Sequence, residues 1–126
     1  MTDDHVSAHF CRHELACSCC GAYIYSARLL ALAEKVRAIL GKPMNVHCGT
    51  RCPEHNAAVG GKPNSQHLWG RAIDFSVKGM TPAQLYDAIL TAAKRKQLPE
   101  LGGIGLYSWG VHIDCRPHDP GRIAKW

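Results

Sequence analysis

Two apolar, strand-like runs constrain this chain most, because each carries side chains that can hold a metal. The run RAIDFSV (71–77) is rich in β-branched and aromatic residues and reads as a buried strand centred on Asp74. The later run WGVHIDC (109–115) also reads as a strand, with GGIGLYS before it as its hairpin partner and a turn around Ser108 to Gly110. Alternate side chains of a strand share a face, so His112 and Asp114 point the same way. His67 lies in the loop that leads into the first run, and Gly70 lets the backbone turn sharply between His67 and Asp74. If the two strands pair, His67, Asp74 and His112 meet at one spot. Two imidazoles and one carboxylate suit zinc with an open fourth position. A catalytic zinc uses that position to hold a water, lower its pKa to about 7 and polarise a substrate carbonyl. The residues alone leave an alternative open, since the chain has eight histidines and a His–Asp pair can be a surface hydrogen bond.

The remaining pattern places helices around these strands. Ser26 caps a helix whose apolar positions are Leu29, Leu32, Ala33, Val36, Ile39 and Leu40, and Gly41 and Pro43 stop it. MNVHC (44–48) reads as a short strand, and CPEHNAAVGG as a short helix ending at Gly60 and Gly61. Thr81, Pro82 and Gln84 form a helix-start signature. The apolar face of that helix is Ala83, Leu85, Ala88, Ile89 and Ala92, and its expected end is near Leu98 and Pro99. HFCRHELACSCCGAYIY reads as an irregular cover on the core, and RPHDPGRIAKW as loop. The expected fold class is α+β, a small, mainly antiparallel sheet with flanking helices and a Cys-rich N-terminal segment. At 126 residues a single domain, 1–126, is expected.

Composition narrows the function classes. No apolar run approaches the ~20 residues of a membrane helix, so no integral membrane segment is expected. The net charge of +5 suits an anionic partner, but the one dense basic run, Lys94 to Lys96, sits at a helix C-terminus where cations are favoured anyway. No basic stripe interleaved with aromatics is present, and no nucleic acid partner is expected. The opening MTDDHVSAHF lacks the basic and apolar regions of a secretory signal, so cytoplasmic synthesis is expected. Seven cysteines stand at 11, 17, 19, 20, 48, 52 and 115. CSCCG with Cys48 and Cys52 could hold a structural zinc, but the set lacks two C-x-x-C pairs at zinc-finger spacing, and the expectation is reduced thiols rather than a second, Cys-bound metal.

GTRCPEHNAAVGGKPNSQHLWGRAIDF together with GIGLYSWGVHID resembles the zinc D-Ala-D-Ala carboxypeptidase and L-alanyl-D-glutamate endopeptidase family. Its signature, S-x-H-x(6)-D followed by H-x-D, reads here as Ser65, His67, Asp74, His112 and Asp114. With HFCRHELAC upstream, the chain looks like the short stand-alone members carried by phages and prophages, over roughly residues 9 to 117. The resemblance implies a hedgehog/DD-peptidase-like fold, one catalytic zinc, and peptidase activity on peptidoglycan stem peptides. With no secretory signal expected, a monomer that reaches the wall through a holin, or one that acts on small peptides in the cytoplasm, is the expectation. It implies His67, Asp74 and His112 as zinc ligands and Arg51 as a catalytic and substrate-binding residue at the scissile carbonyl. Asn56 and Ser65 would fix the surrounding loops, with Ser65 also facing substrate. The departure is at the general base, because Trp109 and Gly110 stand where relatives carry an acid or a histidine. Asp114 is the nearest candidate and doubles as a carboxylate that could orient a ligand imidazole. His47, Glu54, His118 and Asp119 are the other candidates. A non-catalytic zinc- or peptide-binding module on the same fold is the alternative.

Overall fold

The computed structural model describes residues 4–126. Four helices, α1 (Arg12–Leu15), α2 (Ala27–Leu40), α3 (Pro53–Ala58) and α4 (Pro82–Lys94), accompany five strands. The strands are β1 (Asn45–Cys48), β2 (Ala72–Ser76), β3 (Gly103–Leu106), β4 (Val111–Asp114) and β5 (Ala124–Lys125). They form one sheet in the order β1-β2-β4-β3-β5. Every pairing is antiparallel except β3 with β5, which is parallel, so the sheet is mixed.

The two faces of the sheet differ as alternation demands. Ile73, Phe75, Ile104, Val111 and Ile113 are all completely buried and join Leu32, Val36, Leu85 and Ile89 of α2 and α4 in the core. Asp74, His112 and Asp114 occupy the opposite face. In register, Cys48 faces Asp74, Asp74 faces His112, and His112 faces Gly105. One row of residues therefore crosses four strands, with metal-ligating side chains in its first three positions.

The caps are where the sequence puts them. Ser26 Oγ accepts the Leu29 N–H, and Thr81 with Gln84 forms a reciprocal capping box. Several expectations need correction. Ile39 and Ala83 are exposed, because each lies just outside the stripe its helix buries. Helix α4 ends at Lys94 rather than near Pro99, because Lys96 adopts a left-handed φ of 61°. The Cys-rich cover contains the short α1, and the closing segment contains β5, an edge strand whose Ala124 and Trp126 N–H groups bond to Gly102 and Ile104 carbonyls. No helix among the described residues is long and apolar enough to cross a membrane.

Candidate metal centre

His67 sits in a 3-10 turn, Gln66–Trp69, where the sequence suggested only loop. Ser65 caps that turn, its Oγ accepting the His67 N–H at 3.3 Å. Gly70 closes it at φ 67°, and a side chain there would strike the Ile24 carbonyl, so both conformation and space demand glycine. The turn leads straight into β2, which is why His67 and Asp74 share one end of the sheet.

Asp74 Oδ1 lies 3.1 Å from His67 Nε2 and 2.8 Å from His112 Nδ1. His67 and His112 meet edge to face, 5.1 Å between ring centres. Exposure is 3% for His67, 9% for Asp74 and 7% for His112. Each imidazole is anchored through its other nitrogen. His67 Nδ1 donates to the Gly49 carbonyl at 2.7 Å, which can only accept, so the unprotonated position of a neutral ring is Nε2. His112 Nε2 lies 2.8 Å from Asp114 Oδ2. Asp114 has no exposure and is gripped by Arg116, whose Nε donates to Oδ1 at 2.9 Å and Nη2 to Oδ2 at 2.6 Å. Gly103 makes room for this pair, since a Cβ there would fall 2.5 Å from Asp114 Oδ2.

The electrostatics are those of a cation site. Burial opposes ionisation of Asp74, but hydrogen bonds and charge from His112 and His67 outweigh it and hold the carboxyl well below its usual range. Burial likewise opposes the charge on His67, yet Asp74 and then Cys48 bring its pKa up to about 9. Asp114 is desolvated too, but His112 and Arg116 hold it down at about 2. His67 Nε2 is buried and faces Asp74 Oδ1 at 3.1 Å, short of the alignment of a good hydrogen bond. Two buried imidazole nitrogens turned to one carboxylate fit zinc by donor type and number.

Arg51 comes from the loop between β1 and α3. Its N–H bonds to the His67 carbonyl at 3.0 Å. Its guanidinium donates to Asn56 Oδ1 at 3.0 Å, and Nη2 lies 3.9 Å from Asp74 Oδ2. Asn56, itself buried, donates in turn to the Lys62 carbonyl at 2.9 Å. The ligands and Arg51 open onto a cavity of about 420 Å³, with Ser65, Tyr107, Arg116 and Trp126 among its walls.

The other base candidates are elsewhere. His47 Nε2 bonds to Ser76 Oγ at 2.7 Å and its ring packs against Trp109. His118 Nδ1 donates to the Arg116 carbonyl and lines a different cavity. Glu54 and Asp119 are exposed and outside the cavity. Sequence reasoning missed three residues that the fold brings in. Cys48 groups with His67 and Asp74 at metal-binding separation, and its strand register opposite Asp74 was the available signal. Arg116, two residues beyond Asp114, continues the same alternation. Trp126, whose ring lies 5.1 Å from that of His112 and whose Nε1 donates to Tyr107 Oη, gave no local signal.

A buried His–Asp–His set stands at the end of a mixed sheet and opens on a cavity, and His67 and Asp74 lie with Cys48 at separations that could hold a metal ion. Residues 8–114 match the family model described as peptidase M15, and the chain belongs to that family. Its members are zinc-dependent metallopeptidases that act on peptidoglycan peptides. A search of curated proteins gives no match.

Proposed function

We propose that this chain is a single-domain zinc metallopeptidase that hydrolyses an amide bond in peptidoglycan stem peptides, as a D-Ala-D-Ala carboxypeptidase or an L-Ala-D-Glu endopeptidase on a hedgehog/DD-peptidase-like fold. The observation that carries the reading is the convergence of His67, Asp74 and His112 on one cavity, with a nitrogen of each imidazole turned to the Asp74 carboxylate. In this reading those three residues hold the ion, which when bound supplies an activated water and a Lewis acid for the scissile carbonyl.

The chain's own residues supply the rest. Arg51, braced by Asn56, donates to the carbonyl oxygen as it gains negative charge, and a guanidinium keeps its protons throughout. Ser65 shapes the substrate wall while capping the turn that carries His67. Asp114 acts as a positioning carboxylate, because its oxygens are taken by His112 and Arg116 and it lies outside the cavity wall. The net charge of +5 favours approach to an anionic wall. Cytoplasmic synthesis, release through a holin and action as a monomer complete the proposal.

One observation favours the second reading, a zinc- or peptide-binding module without turnover. Among the described residues, Asp74 is the one carboxylate that lines the cavity, and in the first reading it is committed to the ion. Mass spectrometry of purified muropeptides incubated with zinc-loaded protein separates the two. The peptidase releases a defined fragment, and the bond cut names the activity. Unchanged muropeptides across the tested stem peptides support the module.

A further inference from the structure

A second cluster of metal-ligating side chains lies away from the His–Asp–His centre. Cys17, Cys19 and Cys20 come from the N-terminal segment, and Cys52 is the N-cap of α3. Their four Sγ atoms all lie within 4.8 Å of one another. The chain folds back to achieve this. Cys17 N–H bonds to the Ala22 carbonyl at 2.7 Å, and Gly21 N–H to the Cys17 carbonyl at 2.8 Å. We propose that Cys17, Cys19, Cys20 and Cys52 form a structural tetrathiolate site for zinc, which staples the N-terminal segment to the loop that presents Arg51.

The separations support an ion rather than cross-links. Cys17 and Cys19 sulfurs are 3.6 Å apart, and those of Cys19 and Cys52 are 3.2 Å apart. Zinc at about 2.3 Å from four tetrahedral sulfurs sets them about 3.8 Å from each other. A disulfide would need about 2.05 Å, and these four cysteines are not joined by disulfides.

The surrounding amides suit thiolates. Cys52 N–H donates to Cys17 Sγ and His55 N–H to Cys52 Sγ, each at 3.4 Å. Four thiolates around one position select a soft, tetrahedral ion, and zinc is the usual choice. Of the two later cysteines the sequence offered to this cluster, the fold brings Cys52 to it and leaves Cys48 beside His67 and Asp74.

The placement gives the ion a task. Cys52 directly follows Arg51, whose N–H is bonded to the His67 carbonyl. Fixing Cys52 therefore fixes the loop beside the His–Asp–His centre. The site stands on its own observations and survives failure of the peptidase reading.

Metal analysis of the full chain, purified with zinc under reducing conditions, tests it. Wild type should carry two zinc ions per chain, and a His67→Ala/His112→Ala variant should keep one. That variant, reloaded with cobalt(II), should show thiolate-to-cobalt charge-transfer absorption. The band should survive an added Cys48→Ser and vanish with an added Cys52→Ser. Absence of the band in the folded His67→Ala/His112→Ala protein overturns the site, as does its loss with Cys48→Ser alone. The presence or absence of the band in the His67→Ala/His112→Ala protein is read without any cysteine variant. Intact-mass detection of disulfides among the four cysteines in the reduced, zinc-loaded protein would also overturn it.

Discussion

Asp74 and His112 are direct partners across β2 and β4, and their side chains meet with Oδ1 2.8 Å from Nδ1. Antiparallel register alone puts a carboxylate and an imidazole face to face. His67 is then delivered by the 3-10 turn that precedes β2. The contact is a hydrogen bond, and in the proposed reading the same two side chains would hold the ion.

Asp114 holds the far nitrogen of His112, and this position makes its role testable. Asp114→Asn should weaken zinc binding about 10- to 100-fold. Competition with a chelator measures the affinity. At saturating zinc most of the turnover should return. A variant that binds zinc normally but has lost turnover would identify Asp114 as the base instead.

Arg51 is oriented by Asn56 and approaches Asp74 no closer than 3.9 Å, so it contributes little to holding an ion. Arg51→Ala should lower kcat by about 10²- to 10³-fold, the usual effect of removing an oxyanion donor. Zinc content should stay unchanged. Asn56→Ala should give a smaller loss of the same kind, since it frees the guanidinium without removing it. Steady-state kinetics beside metal analysis checks both.

Gly103 leaves the space that the Asp114–Arg116 pair fills. Gly103→Ala would place a Cβ 2.5 Å from Asp114 Oδ2 and 2.9 Å from Arg116 Nε. Overpacking of this kind costs about 1–3 kcal/mol, read as a lower midpoint in denaturant unfolding. Zinc affinity should fall with it, because the carboxylate that orients His112 is displaced.

Glu34 on α2 ties down the N-terminal segment, accepting from Ser7 Oγ at 2.6 Å and from the His9 N–H at 2.7 Å. Burial raises its pKa, but these bonds outweigh burial and hold it below its ordinary 4.5. A depressed carboxylate stabilises the fold above its unfolded value and loses that contribution as pH falls through the folded one. The stability gap between wild type and Glu34→Gln should therefore close as the pH drops below ~4.5. Denaturant midpoints at a series of pH values test this, and a gap that widens below pH ~4.5 would contradict it.

Much of the centre was legible because strand alternation is a local rule. WGVHIDC placed His112 and Asp114 on one face, and pairing with RAIDFSV was the condition that would bring Asp74 to them. The capping pattern at Thr81 and Gln84 likewise marked the start of α4. What escaped depends on contacts distant in sequence. The turn carrying His67 is set by Ser65 and Gly70 acting together. β5 exists only because β3 offers an open edge, so Trp126 had no signal of its own. The role of Cys52 needed the N-terminal segment folded back on α3. The grip of Arg116 on Asp114, which favours an orienting carboxylate over a base, is likewise visible only in the fold.

The most direct test of the metal centre is a crystal structure of zinc-loaded protein with anomalous data at the zinc edge. An ion about 2.0–2.2 Å from His67 Nε2, His112 Nδ1 and an Asp74 oxygen is the predicted result. Crystals grown with excess zinc that show no anomalous peak among these three side chains would contradict it.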